Sequence, residues 1–154
     1  MKLYLLRHAH ARAGGDHDAG RLLSVLGEDQ AVRAGQMLAS LDLKPVRIFT
    51  SPYMRARLTA GIIAEQLGLP APTVTEYLAL DSDQRQILGT INETNEEPIL
   101  LVGHEPHLRE LASLLIAGHR HMHVSFGNAT TVCIDLPAPA VWESGTLEWI
   151  KDVD

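Results

Sequence analysis

Leu3-Tyr4-Leu5-Leu6 is an unbroken apolar run that stops at Arg7-His8. A run this short, without polar alternation, predicts a strand over residues 2–7 that is covered on both faces. Residues 12–23, rich in Gly, Asp and Arg, break the pattern and are expected to form a loop. Ser24 then supplies a helix N-cap, with Glu28 and Asp29 near the positive end of the helix dipole. Ala34, Met37, Leu38 and Leu41 follow at i, i+3, i+4 and i+7, the core stripe of a first helix. Pro45 introduces a second strand, Val46 to Thr50. Ser51-Pro52 is expected to open a second helix, with Ser51 as N-cap and Pro52 at the first helical position. Met54, Leu58 and Ile62 would line its core face, and Gly68 would end it.

Residues 73–80 carry a weaker strand or extended pattern, and 83–92 a short helix. The apolar run Pro98-Ile99-Leu100-Leu101-Val102-Gly103 predicts a central strand. Pro106 starts a helix whose stripe is Leu108, Leu111, Ala112 and Leu115, ended by Gly118. Two last strands, 130–136 and 146–151, are joined by a turn around Pro137 and Pro139. No repeat, low-complexity tract or linker interrupts the chain, so residues 1–154 are expected to form one domain. Alternating strands and helices predict an α/β fold: a three-layer α/β/α sandwich with a mostly parallel central sheet and an antiparallel edge.

Charge and cysteine content narrow the function classes. A net charge of −6 argues against a broad nucleic-acid-binding surface, so any anion must be held by a few focused cations. The single cysteine, Cys133, excludes an internal disulfide framework and lies in an apolar stretch as a small hydrophobe. Four apolar residues before Arg7 are too few for a signal peptide, and no segment is long enough to span a membrane. A cytoplasmic location is the expectation.

Three predicted strands end in polar residues able to share one task. The first ends in Arg7-His8. The second ends in Thr50-Ser51, and Arg55 follows in the first turn of the next helix. The third ends in Gly103-His104. In open α/β sheets, ligands bind beyond the carboxyl ends of the strands. Helix N-termini there add free N–H groups and a positive dipole end. Arg7 and Arg55 can grip phosphoryl oxygens in fork geometry, and a neutral His8 can attack phosphorus. His104, protonated against an anionic ligand, would add positive charge on the transferring oxygens. No metal or other cofactor is required by this set.

Leu6-Arg7-His8-Ala9, Ser51-Pro52-Tyr53-Met54-Arg55-Ala56 and Val102-Gly103-His104-Glu105-Pro106, in that order, resemble the histidine phosphatase superfamily. The short chain without a capping insertion is most similar to the SixA-type phosphohistidine phosphatases. Asp18 to Gly27, with Arg21-Leu22-Leu23-Ser24 and Gly27, resembles a further segment of that branch. The resemblance implies a phosphoglycerate mutase-like fold, His8 as nucleophile, and Arg7, Arg55 and His104 as catalytic phosphate-binding residues. It also places Arg21 in the same pocket. It implies as substrate a phosphorylated protein, such as a histidine phosphotransfer domain, or a small phosphorylated molecule. Ala9 stands where the signature more often has glycine, which an ordinary backbone conformation tolerates.

The mutase-like branches carry a glutamate acid between the second and third blocks. Here Glu76, Asp81 and Asp83 are the candidates, and none sits in a matching motif. Weak acid assistance disfavours alkoxide leaving groups and suits a phosphoramidate. Taken alone, Arg7-His8 would be a surface Arg beside a strand-capping His, and Arg55 a solvated helix residue; their order with His104 reverses both readings. Thr59, one turn after Arg55, suits packing or support. The rival enzyme class is a metallohydrolase, since His8-Ala9-His10, His104 with His107, and His119, His121 and His123 resemble a metal-rich set. Against it stand the missing adjoining carboxylate and the costly neighbour Arg7. A non-enzymatic phospho-binding module would lack the nucleophile, and His8 is present. The pocket rim is expected from residues 12–23, 76–85 and 118–128.

Overall fold

A computed structural model describes residues 1–14 and 16–153. Six strands, β1 (Lys2–Arg7), β2 (Arg47–Thr50), β3 (Thr73–Val74), β4 (Ile99–Gly103), β5 (Thr131–Asp135) and β6 (Thr146–Lys151), form one sheet. Its order is β3-β2-β4-β1-β5-β6. The first four in that order are mutually parallel, while β5 pairs antiparallel with both β1 and β6. The α/β sandwich and the antiparallel edge thus agree with the hydrophobic pattern.

Strand periodicity builds the layers. Leu3, Leu5, Ile99, Leu101, Val132 and Ile134 face α3 (Gln84–Glu93) and α4 (His107–Ala117), packing on Ile87, Ile91, Leu108, Leu111 and Leu115. Tyr4, Leu6, Leu100, Val102, Ile48 and Cys133 point the other way, onto α1 (Val25–Ala39) and α2 (Met54–Leu67). Every residue of β4 is buried, as its apolar run predicts for a strand covered twice. No helix among the described residues is long and apolar enough to cross a membrane.

The helix ends follow their capping residues in most places. Ser24 Oγ accepts the Gly27 N–H at 3.0 Å, and Gly68 and Gly118 close α2 and α4 in the left-handed conformation. Four expectations need correction. Ser51 does not cap α2, which begins at Met54; its hydroxyl is engaged elsewhere, and Pro52 precedes the helix. Met54, Leu58 and Ile62 are only half-buried, and the buried face of α2 is Ala56, Ala60, Ile63 and Ala64 together with Arg55 and Thr59. Small residues carry this contact because α1 approaches closely with its own Ala31, Ala34 and Gly35. Leu41 falls beyond the end of α1, and residues 73–80 form a two-residue strand followed by a 3-10 turn, Glu76–Leu78.

The start of α1 is tied to the chain just past β1. Gln30 Oε1 accepts the His10 N–H at 2.9 Å, and the His10 carbonyl accepts the Ser24 N–H at 3.1 Å. A Cβ on Gly27 would lie 1.9 Å from that carbonyl oxygen. We therefore expect Gly27→Ala to lower stability in urea unfolding by about 1–3 kcal/mol, the cost of overpacking. Gly61→Ala, in the same fold but with open space around its Cβ, should instead gain about 0.5–1 kcal/mol of helix preference. Equal effects at the two sites would contradict the close approach.

Candidate active site

The sheet register brings three strand ends to one level. β4 lies between β1 and β2, with Arg7 opposite Gly103 and Thr50 opposite Val102. Each ladder continues by one bond: His8 N–H donates to Gly103 O at 2.9 Å and Ser51 N–H to Val102 O at 3.0 Å. His8, Ser51 and His104 thus leave adjacent strands side by side. The His8 and His104 ring centroids are 5.3 Å apart.

One hydrogen bond settles the chemistry of the His8 ring. Nδ1 lies 2.7 Å from the Ala9 carbonyl oxygen. A carbonyl can only accept, so Nδ1 carries the proton and Nε2 holds a lone pair. Arg55 Nε–H donates to that lone pair at 3.3 Å. The surrounding backbone is fixed as well. Ala9 N–H donates to Thr59 Oγ1 at 3.0 Å, whose own hydroxyl donates to Arg55 O at 2.7 Å. The support expected of Thr59 is therefore found. The His8 carbonyl accepts from Asn128 Nδ2 at 3.2 Å. Ala9 is fully buried, and its φ is not positive, so the methyl group fits where a glycine is common.

Arginines surround this nitrogen in a cavity of about 320 Å³, which Arg7, His8, Arg21, Arg55 and His104 all line. Arg7 Nη1 donates to Phe126 O at 3.0 Å, while its Nε is buried without a partner among the described residues. Arg55 is buried and held from two sides. Its guanidinium lies 4.9 Å from the Tyr53 ring centroid, and it donates to Asp18 O at 3.0 Å and Asp18 Oδ2 at 3.2 Å. The other Asp18 oxygen takes Arg21 Nη1 at 3.1 Å. Asp18 thus bridges two arginines, and the Arg21 hydrogen bond, with Arg55 behind it, holds the carboxyl below its ordinary range. Asp18 and Asn128 carry no sequence motif of their own. The sequence signal for Asp18 is its place at the start of the 18–27 segment, three residues before Arg21.

Burial is the largest influence on both site histidines. It pushes His8 down to about 4; Arg55, Arg7 and Arg21 act in the same direction, and the Ala9 carbonyl opposes them. His104 falls to about 3, through burial first and then its His8 and Arg55 neighbours. Without an anion in the cavity, burial and the neighbouring cationic groups favour the neutral His104 ring, and the expected imidazolium is conditional on a bound anion. Its Nε2 is paired with Ser51 Oγ at 2.7 Å, and Ser51 Oγ also accepts the Tyr53 N–H at 3.2 Å. His104 Nδ1 is buried without a partner among the described residues.

Each expected rim segment contributes one cavity residue: Arg21, Leu80 and Asn128. The three candidate acids do not line the cavity. Glu76 is exposed in the 3-10 turn, Asp81 sits at φ 64°, and Asp83 caps α3 and pairs with Arg85. Glu105 and His10 do line it, and no motif of the sequence points either to the pocket. His119, His121 and His123 are exposed and away from the cavity lining. Among the described residues, no group of three or more His, Cys, Asp or Glu is placed to hold a metal ion. Cys133 is buried, which pushes its thiol up to about 11.

These shifts predict that neither His8 nor His104 titrates between pH 5 and 8 when their ring C–H resonances are followed by NMR without phosphate. Stability should decline as pH falls below about 6.5, the unfolded value for histidine, because the unfolded chain then binds protons that the buried rings refuse. The decline should continue down to the folded values near 4 and 3. A midpoint near 6.5 for either ring would contradict the assignment.

The histidine phosphatase superfamily (branch 1) family model matches residues 3–79. An uncharacterised protein of Picosynechococcus is 35% identical over 135 residues, covering 84% of this chain and 81% of that relative. The solved structure of the protein histidine phosphatase SixA with tungstate superposes with a TM-score of 0.87 at 22% identity, covering 99% and 97% of the two chains. A mycobacterial glucosyl-3-phosphoglycerate phosphatase bound to inorganic phosphate superposes at 0.76 with 20% identity, covering 99% and 98%. A SixA-type sheet, strand ends carrying Arg7-His8, Arg55 and His104, and the matched family model agree on one conclusion: the chain belongs to the histidine phosphatase superfamily.

Proposed function

We propose that this protein removes a phosphoryl group by way of a covalent phosphohistidine on His8, with phosphohistidine of a protein partner as substrate. The observation that carries this reading is the fixed His8 tautomer, with its Nε2 lone pair among Arg7, Arg21 and Arg55. In the first step Nε2 attacks phosphorus in line, the Nε2–P bond forms, and the bond to the leaving group breaks with its electron pair. Arg55 releases Nε2 as its guanidinium turns to the phosphoryl oxygens, which Arg7 grips through its unpartnered Nε. A bound phosphoryl dianion supplies the negative charge that favours an imidazolium, so His104 can then donate to a phosphoryl oxygen. Water next attacks phosphorus, inorganic phosphate leaves, and His8 regains its lone pair. The residues present balance the phosphoryl charge without a metal or other cofactor in any step.

The rim residues Arg21, Leu80 and Asn128 lie outside the helices and strands, on loops that suit a bulky protein substrate such as a histidine phosphotransfer domain. The single, buried cysteine suits a reducing, cytoplasmic setting. A second reading, hydrolysis of small phosphomonoesters on the same site, is favoured by the modest cavity and by the fold shared with the glucosyl-3-phosphoglycerate phosphatase.

The test is a substrate panel of a phosphohistidine-bearing phosphotransfer domain, free phosphohistidine, a sugar phosphate and a phosphoserine peptide. The phosphotransfer domain should give the highest kcat/KM, and higher turnover on the sugar phosphate would favour the second reading. His8→Ala should abolish turnover on every member. Arg7→Ala and Arg55→Ala should each lose about 10²–10³ in turnover, the scale for one preorganised charge-stabilising donor, with circular dichroism confirming that they fold. Wild-type activity in His8→Ala would sink the mechanism.

A further inference from the structure

With Glu76, Asp81 and Asp83 away from the cavity and Asp18 committed to two arginines, Glu105 is the carboxylate left lining it among the described residues. It follows His104 directly on the turn between β4 and α4. Arg109, one helical turn on, donates from Nε to Glu105 Oε1 at 2.8 Å. The second oxygen, Oε2, is buried and has no partner among the described residues. Arg109 thus orients the carboxylate and leaves one acceptor oxygen uncommitted. A buried carboxylate oxygen without a donor is costly, and a substrate N–H would relieve it.

The geometry points to Glu105 as the group that recognises the leaving side of the substrate, accepting a hydrogen bond from the distal ring N–H of a phosphorylated imidazole. This rests on the phosphatase reading above and narrows its substrate class. With the distal ring nitrogen protonated, the P–N bond breaks, its electron pair returns to the ring, and a neutral imidazole departs. No further proton is needed. A carboxylate accepting from that N–H holds the ring in the form that leaves easily. The same negative charge opposes an alkoxide leaving group, which carries no N–H and develops negative charge of its own. Selection for phosphoramidates over oxygen esters therefore follows from the acceptor oxygen of Glu105 rather than from a missing acid. Arg109 acts through Glu105 and is a positioning residue.

The experiment compares kcat/KM for free phosphohistidine with that for p-nitrophenyl phosphate, from pH 6 to 9, in wild type, Glu105→Gln and Arg109→Met. Glu105→Gln should lower the ratio of the two by about 10- to 100-fold, the range for a hydrogen bond to a charged group. The alkaline limb on phosphohistidine should also move to lower pH, because the ring loses its stabilising acceptor. Arg109→Met should move the ratio the same way by a smaller factor. An unchanged ratio and an unmoved limb would overturn the role of Glu105 while leaving the His8 chemistry standing. Equal losses on both substrates would overturn it too, assigning Glu105 to holding the His104 loop. A wild-type enzyme that hydrolyses p-nitrophenyl phosphate but not phosphohistidine would defeat both this inference and the phosphohistidine reading.

Discussion

The hydrogen bond from His8 Nδ1–H to the Ala9 carbonyl is the constraint on which the rest of the site depends. A free imidazole exchanges tautomers, and half of its chemistry depends on which nitrogen is bare. Here the acceptor belongs to the next residue, so the backbone itself dictates the answer. The bond holds only while the Ala9 peptide is fixed, which is the work of Thr59, and Thr59 in turn is bonded to the backbone of Arg55. His8 and Arg55 are therefore one mechanical unit joined across β1 and α2. A change at Thr59 should disturb both together.

Charge is the second organising element. The chain is acidic overall, yet three arginines line a cavity of about 320 Å³. Like charges so placed repel one another in an empty cavity. Asp18 relieves part of that repulsion by bridging Arg21 and Arg55, and an incoming phosphoryl group would compete for the same guanidinium donors. The two histidines remain neutral for the same reason that the arginines need a counter-ion: each added positive charge in a buried, cationic pocket is unfavourable. An anion reverses that sign. The site is thus set to respond to the charge of its ligand.

The sheet and its order of elements were legible because strands covered on both faces leave unmistakable apolar runs, as at 3–6 and 99–102. Arg7, His8, Arg55 and His104 were legible because each follows such a run or its succeeding helix start. What the pattern misjudged was small or polar. The buried face of α2 is mostly alanine, which hydropathy counting weighs less than Met54 or Leu58. Ser51 has the chemistry of an N-cap, but a neighbour 53 residues away, His104, claims its hydroxyl. Asn128 and Glu105 reach the cavity, and Asp18 reaches Arg21 and Arg55, through tertiary conformation that no local spacing encodes. The burial that lowers His104 in the empty cavity is a tertiary property that local residue type does not carry.

The central claim is that His8 Nε2 becomes covalently bonded to phosphorus during turnover. Rapid mixing with excess phosphohistidine-bearing protein, followed by alkaline denaturation and peptide mass spectrometry, would trap such an intermediate. The account predicts an acid-labile, alkali-stable phosphoryl group on the peptide containing His8, assigned to Nε2 by phosphorus–proton NMR correlation. It should appear before inorganic phosphate and be missing from His8→Ala. Turnover without any phosphorylated His8 peptide, or with phosphorus on a different side chain, would contradict it.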